Sequence, residues 1–328
     1  MQVRGRAFPA FFFYPPLRSG LTAVVKPRGM AVMEAGVVFC VVAVFAWGLA
    51  VIPIKKANRS PLAGLAVGLI SGWALMLLVA ALRNELDFSG MEAKGWGLTA
   101  AGGILRFPVA TYCYYQAILR AGILLATPLA RLRPVFVCLI VTAAGLEVPG
   151  GGVIAGTALA FAGTLFLFPR RTDVAVAGRP LPRDVRRSGL LLAGAASLAW
   201  ALGDICLNQV SSDAAAVPAS VRSVLALGFG TVAWLGLLLV LGKLPMVGKL
   251  GWSGCGWYAL HGVMSFGIAT YSMLRAFETL PVTEVSLLTS VWPLVSMAVG
   301  FLLFRERVSG RQALGLAFLV AGAAAVLI

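Results

Sequence analysis

The chain has 328 residues, of which 60% are hydrophobic and 12% are charged. Soluble domains carry about 25% charged residues, so this composition excludes a water-soluble globular protein, and its hydrophobicity excludes a disordered one. The net charge of +15 lies in short gaps between apolar runs, where Lys and Arg meet lipid headgroups, and it is not a nucleic-acid footprint. Five scattered cysteines and a single histidine predict no metal site and no cofactor.

In chain order, residues 1–34 form a basic arm that we expect to be disordered, or an upstream extension with the working start at Met30 or Met33. Apolar runs follow, each long enough to span a bilayer as a helix. Helices satisfy every backbone polar group internally, as hydrocarbon requires. The sequence therefore predicts an all-α integral membrane protein with ten transmembrane helices, at 35–54, 62–82, 97–118, 122–145, 151–169, 189–209, 218–242, 254–277, 282–304 and 310–328.

An arginine-rich linker at 170–188 divides these helices into two sets of five, 35–169 and 189–328. The segment that begins Phe107-Pro108 reappears as Phe266-Gly267, and the same offset of 159 residues carries Pro134 onto Pro293. Because each half has an odd number of spans, the second half enters the membrane in the opposite orientation. Two inverted five-helix repeats are a transporter architecture, with the site near the midplane between the halves. The sequence has no GxxxxGK[ST] loop, so we expect a secondary transporter rather than a nucleotide-driven pump.

The repeated motifs resemble the EamA-type branch of the drug/metabolite transporter superfamily. That family's half-unit has Trp-Gly in its first helix, Ser-Pro opening the second, a proline inside the fourth, an acidic residue after it and a Gly-rich fifth. In the first half of this chain these features are Trp47-Gly48, Ser60-Pro61, Pro134, Glu147 and Gly151–Gly163. The corresponding positions in the second half are Trp200-Ala201, Val217-Pro218, Pro293, Glu306 and Gly315–Gly322. The resemblance implies a permease that carries small organic solutes by import or efflux. It also implies that helices 1–4 and 6–9 surround a central cavity.

Three arginines lie near the middle of predicted spans, Arg106 in the third and Arg131 and Arg133 in the fourth. Each would cost about 2.5–3.5 kcal/mol if it faced lipid, so we expect them to face water, a partner or a ligand. Arg131 and Arg133 point about 200° apart on a regular helix and can share one cavity only if the helix is distorted, for which Pro134 supplies a reason. We therefore expect a substrate with an anionic group; the alternative is that an internal acid or carbonyl neutralises an arginine.

Further cavity candidates are aromatic or polar, and each can alternatively be a packing or interfacial residue. They are Trp47, Tyr112, Tyr115, Gln116, Trp200, His261 and Tyr271. Near the membrane side that carries the termini we expect two acids and two arginines, which could form a gate, a coupling site or a static ion pair. These are Asp204, Glu284, Arg222 and Arg275.

Alternative functions are an exporter of organic cations or drugs that uses Asp204, Glu284 and the aromatic residues, a membrane enzyme on a lipid-linked substrate, and a scaffold. Expected partners are a small-molecule substrate and membrane lipid, not nucleic acid. The glycine rows of the fifth and tenth helices predict contacts within the monomer, with a homodimer as the alternative. We expect a multi-pass protein of the cell (inner) membrane with cytoplasmic termini, as the family and the basic arm imply, although the distribution of Lys and Arg alone favours the reverse.

Overall fold

The computed structural model describes residues 30–57, 60–121, 123–167, 183–213, 217–305 and 309–327, which are mostly helical and contain no strand. Most of the predicted arm and linker, and Glu306, lie outside these residues. A single turn, Pro245–Gly248, lies between α7 and α8. The helices are α1 (Met30–Leu49 and Val51–Ala57), α2 (Pro61–Leu82), α3 (Ala93–Ile104, Leu105–Val109 and Ala110–Ala121), α4 (Ile123–Ala130 and Arg133–Ala143), α5 (Gly151–Leu167), α6 (Arg183–Asp213), α7 (Ala219–Val240), α8 (Gly251–Gly262, Val263–Ile268 and Ala269–Phe277), α9 (Val282–Thr289 and Trp292–Phe304) and α10 (Gly310–Ala324).

Among the described residues, six helical stretches are long and apolar enough to cross a membrane. Two shorter apolar helices are α5 and α10. The fold is therefore all-helical and multi-pass, and the count of ten spans stays a prediction. The six stretches are Met33–Ala57, Pro61–Leu82, Ala126–Ala143, Asp184–Ser211, Ala219–Val240 and Val282–Leu303.

Irregular backbone occurs at equivalent places in the two halves. The break between the segments of α4, at residues 131–132, lies 159 residues before the break in α9, at 290–291. Pro134 and Pro293 follow these breaks, and a proline cannot donate the helical hydrogen bond four residues back. α3 and α8 contain π-helical turns at Leu105–Val109 and Val263–Ile268, again in equivalent positions. Pro108 removes a helical donor in the first, and π turns often mark functional sites.

Helices of each half pack against helices of the other half. α1 packs on α8 and α9, while α6, its counterpart, packs on α3 and α4; α2 packs on α7 and α5 on α10. Between α5 and α10, Gly156 lies against the carbonyl of Gly322 and Gly163 against that of Gly315, so these equivalent helices run antiparallel. The absence of side chains at these glycines permits the close approach. The glycine rows are thus used within the chain, and a homodimer through other faces of α5 and α10 stays a prediction.

Candidate substrate cavity

A cavity of about 310 Å³ lies between the two halves, next to the breaks and the π turns. It is bounded by α1, α3, α4, α6, α8 and α9. Its lining extends from the helix breaks to Ile54 and Ile118, near the ends of α1 and α3. The lining comprises Trp47, Ala50, Val51, Ile54, Arg106, Phe107, Thr111, Tyr114, Tyr115, Ile118, Ala130, Arg131, Arg133, Pro134, Trp200, His261, Ser265, Phe266, Thr270, Ser290 and Trp292.

The three predicted arginines all line this cavity. Arg106 lies in the π turn of α3, Arg131 lies in the α4 break, and Arg133 begins the segment of α4 that follows the break. On a regular helix Arg131 and Arg133 would diverge by about 200°, so the break is what lets both reach one cavity. The expected distortion of α4 is therefore present.

Asp204 of α6 pairs with two of these arginines. Its Oδ1 accepts a hydrogen bond from Arg106, and its Oδ2 lies 3.1 Å from Nη1 of Arg133. Nη2 of Arg133 also donates to Oγ1 of Thr289 at 2.7 Å. Asp204 is only 1% exposed, so this is a buried cluster in which one carboxylate serves two guanidinium groups.

This arrangement corrects the predicted position of Asp204. We expected it near the terminal side of the membrane, opposite Arg222 and Arg275, but its partners are the cavity arginines. The physical reason is the length of α6, which continues to Asp213, beyond the predicted end of the span at 209. Asp204 therefore lies more than two turns inside the helix, at the depth of the α4 break.

Arg131 has different surroundings from the other two arginines. Its guanidinium carbon lies 3.4 Å from the ring centroid of Trp292, a close cation–π contact. Among the described residues, its buried Nη1 has no hydrogen-bond partner. A buried donor without a partner costs about 1–3 kcal/mol, so this nitrogen is a place where a bound acceptor would gain free energy.

Aromatic side chains form the rest of the cavity wall. Both paired arginines lie over the ring of Trp47, with the guanidinium carbon of Arg106 5.5 Å and that of Arg133 5.8 Å from the ring centroid. The indole N–H of Trp47 donates to the carbonyl of Ser265 at 3.1 Å. Trp200 packs on Tyr114 with ring centroids 5.5 Å apart. Such rings offer flat apolar surface next to the charged groups.

Some predicted cavity residues line it and others do not. Tyr115, Trp200 and His261 do, and Nδ1 of His261 donates to the carbonyl of Ala50 at 3.1 Å, since a carbonyl can only accept. Tyr112 instead packs on Trp234, with centroids 5.8 Å apart. Gln116 and Tyr271, which are half-buried, are likewise outside the described lining.

Sequence reasoning missed Ser290 and Trp292, although the repeat offset could have found both as lining residues. Ser290 and Trp292 are the counterparts of Arg131 and Arg133, and Ser265 is the counterpart of Arg106. The first half thus supplies the cations and the second half supplies hydroxyls and an indole at equivalent positions. The cavity is chemically asymmetric although the backbone around it is repeated.

A second charged cluster lies where α2 and α8 end and α7 begins, which we call the terminal end because α1 also begins there. Arg222 of α7 and Arg275 of α8 both pair with Glu278, the latter at 2.9 Å. Sequence reasoning missed Glu278, because an acid in a gap between spans is ordinary. Glu284, the remaining predicted gate residue, lies half-buried in the first turn of α9.

Two further acids stabilise this end of the bundle. Glu85, in the loop after α2, accepts hydrogen bonds from Ser220 and, at 2.8 Å, from Arg83. The Ser220 hydrogen bond, followed by the Arg83 contact, lowers the pKa of Glu85 below its usual value. Glu147 accepts from the backbone N–H of Val282 at 2.9 Å and therefore caps α9.

These features define a class: a multi-pass membrane protein of duplicated helical units with a charged cavity between its halves. The EamA-like transporter family model matches residues 34–168 and 187–328. The chain belongs to this family, and with it to the drug/metabolite transporter superfamily.

The fold has relatives among solved structures. One, described as "Crystal structure of protein", is similar with a TM-score of 0.71 and 20% sequence identity, over 89% of this chain and 96% of that chain. At this identity the likeness shows the fold alone. No curated protein matches this sequence significantly.

Proposed function

We propose that this family member is a secondary transporter of a small organic solute that carries an anionic group, and that it works by alternating access. The single observation that carries the anionic specificity is Arg131, a cation on the cavity wall with a buried Nη1 that lacks a hydrogen-bond partner among the described residues. A carboxylate or phosphate oxygen is the strongest acceptor for such a donor.

The charges around the cavity favour the same class of solute. Three arginines line the cavity, and the carboxylate of Asp204 contacts two of them, Arg106 and Arg133. A buried charge without compensation is costly, so an anion reduces this cost whereas a cation adds to it. The close contact of Arg131 with the Trp292 ring also restricts its guanidinium group before the solute arrives.

Alternating access is the mechanism that the ten predicted spans, in two inverted repeats, favour. α3 and α8 contain π turns but run as continuous rods from Ala93 to Ala121 and from Gly251 to Phe277, each longer than the roughly 20 residues that a bilayer requires. α5 and α10 are shorter, and local thinning of the bilayer accommodates such helices. The antiparallel packing of α5 on α10 agrees with inversion of the second half.

The two ends of the bundle differ as an alternating-access cycle requires. The cavity extends toward the end where α1 and α3 finish, while the ion pairs of Glu278 lie at the terminal end. In this conformation the terminal end is the closed one. Transport then requires those ion pairs to separate while the opposite end closes. Asp204, the acid next to the cavity, is our candidate for a coupling group.

An organic cation is the second candidate solute. The observation in its favour is the aromatic wall of Tyr114, Tyr115 and Trp200, since such rings bind cations. Against it, Trp47 and Trp292 already contact arginines, and Asp204 is occupied by two of them. Cations therefore lack an available carboxylate in the described part of the cavity.

Purified protein tests the proposal. We would measure thermal stabilisation by a panel of carboxylates, phosphate esters and organic cations, then counterflow of the stabilising solutes in proteoliposomes. We expect anions to stabilise the protein, and Arg131→Gln to weaken their binding by about tenfold or more, because a charge-assisted hydrogen bond contributes about 1.5–3 kcal/mol.

Arg120→Gln is the matched control, because Arg120 is an exposed guanidinium near the end of α3 and outside the lining. It should leave anion affinity unchanged. Stabilisation and counterflow by cations alone would overturn the anionic specificity, as would unchanged anion affinity in Arg131→Gln. Absence of counterflow for every stabilising solute would contradict transport itself.

A further inference from the structure

A second concavity lies on the outside of the bundle, in the seam between α4 and α6. It has a volume of about 460 Å³. The lining is apolar except at one end, where Arg187 lies in the second turn of α6. We call it the α4–α6 groove, lined by Leu129, Leu132, Phe136, Arg187, Leu190, Leu191, Gly194, Ala195 and Leu198.

The groove faces away from the protein interior. Leu191 and Leu198 are 69% and 39% exposed, although both are large apolar side chains in the middle part of a membrane helix. A Cβ atom built on Gly194 has no atom within 4 Å, so the floor of the groove is open. The α4 break contributes Leu132, between the two arginines that face the central cavity on the other side of this helix.

The dimensions of the groove correspond to one leaflet of a bilayer. Leu198 lies eleven positions after Arg187 on α6, a rise of about 16.5 Å at 1.5 Å per residue. Half of a hydrocarbon core is about 15 Å. Trp200, two residues further along α6, lines the central cavity between the halves. Leu198 therefore lies near mid-membrane, and Arg187 lies at the headgroup level.

From this placement we infer that the α4–α6 groove binds a phospholipid with an anionic headgroup, with one acyl chain along the leucines and the headgroup on Arg187. Charge complementarity selects the occupant: Arg187, an arginine at headgroup depth at one end of the groove, attracts anionic lipids. An acyl chain fits an apolar groove that ends at mid-membrane, because it needs no polar partner there.

Lipid binding by native mass spectrometry tests this site without any transport measurement. The delipidated protein would be titrated with phosphatidylglycerol and with phosphatidylcholine of the same acyl chains. We expect tighter binding of phosphatidylglycerol. Arg187→Gln should weaken it by about fivefold, which corresponds to roughly 1 kcal/mol for a basic residue near the membrane surface. Gly194→Leu should abolish it by filling the groove.

Matched controls are present in the chain. Arg186→Gln removes an adjacent exposed arginine that does not line the groove, and Gly236→Leu adds the same side chain at an exposed glycine of α7 whose Cβ also meets nothing within 4 Å. Both should bind phosphatidylglycerol as the unaltered protein does. Melting curves identify any variant that fails to fold. If Gly194→Leu fails to fold, the surface variant Arg187→Gln still tests the inference.

Three results would overturn the inference. The first is equal binding of both lipids with no effect of Arg187→Gln. The second is unchanged phosphatidylglycerol binding in a folded Gly194→Leu variant. The third is a change from dimer to monomer in Gly194→Leu with lipid binding intact, which would make a second copy of the chain the occupant of the groove.

Discussion

At the scale of single residues, Asp204 joins the two halves of the molecule. Its two oxygens hold Arg106 and Arg133, which lie on α3 and α4 of the first half, whereas Asp204 lies on α6 of the second. A buried carboxylate between two guanidinium groups compensates charge on both. Removing it leaves both cations in a low-dielectric environment, where Thr289 still accepts a hydrogen bond from Arg133.

We therefore expect Asp204→Asn to destabilise the protein by about 3–5 kcal/mol, the usual cost of breaking a buried ion pair from one side. Thermal melting of the purified protein in detergent measures this. Asp87→Asn, in an exposed loop, is the control and should change stability by about 0.5 kcal/mol or less. If the two variants melt alike, Asp204 does not compensate the arginines.

Glu85 predicts a pH dependence at the terminal end. Hydrogen bonds from Ser220 and Arg83 lower its pKa in the folded protein. A lowered folded-state pKa gives stability that is fully present above the unfolded-state pKa and is lost as the pH falls through the folded-state pKa. The stability difference between the unaltered protein and Glu85→Gln should thus be constant from pH 7 to about 5 and shrink below pH 4.5, the usual value. Melting curves across this range measure the difference.

Ser220→Ala removes the leading cause of the shift and keeps the carboxylate. This variant should reduce the pH-dependent part of the stability that Glu85 contributes. It should not abolish it, since the hydrogen bond from Arg83 remains. A difference that grows on acidification would contradict the assigned direction of the pKa shift.

At the scale of helices, the sequence predicted the features that depend on local chemistry. An arginine in an apolar run needs a partner or water, which identified Arg106, Arg131 and Arg133, and Pro134 identified the distortion that brings two of them together. The sequence could not predict which acid pairs with these arginines, because the depth of each side chain depends on how far its helix extends. α6 continues past the apolar run, so Asp204 lies next to the cavity and not at the gate where we had expected it.

The contact between α5 and α10 supports a prediction for a helix pair. A Cβ atom on Gly163 would lie 2.7 Å from the carbonyl oxygen of Gly315, a backbone atom that cannot move aside alone. Gly163→Val should therefore destabilise the monomer by about 1–3 kcal/mol through overpacking. Thermal melting measures this, with Gly236→Val, at an open position on α7, as the control. Loss of a dimer in light scattering at unchanged melting temperature would instead place Gly163 in an interface between chains.

At the scale of the whole molecule, the terminal end is held by Glu278. Arg222 is 1% exposed and, among the described residues, two of its guanidinium nitrogens lack hydrogen-bond partners, so Glu278 is the contact that compensates its charge. Arg275 shares the same carboxylate. These contacts bring the end of α8 to the start of α7, and they must break if the solute is to leave or enter at that end.

Glu278→Gln should therefore increase access from the terminal end. The reporter is Ser286→Cys in a background without the native cysteines, since Ser286 is 1% exposed and lies on α9 between the terminal end and the cavity residue Ser290. We expect a membrane-impermeant thiol reagent to label this cysteine about fivefold faster in Glu278→Gln, because a loss of about 1 kcal/mol of ion-pair energy raises the open population by that factor. Glu92→Gln, an exposed acid at the start of α3, should not change the rate. Equal labelling in Glu278→Gln and Glu92→Gln would mean that packing, rather than these ion pairs, closes the terminal end.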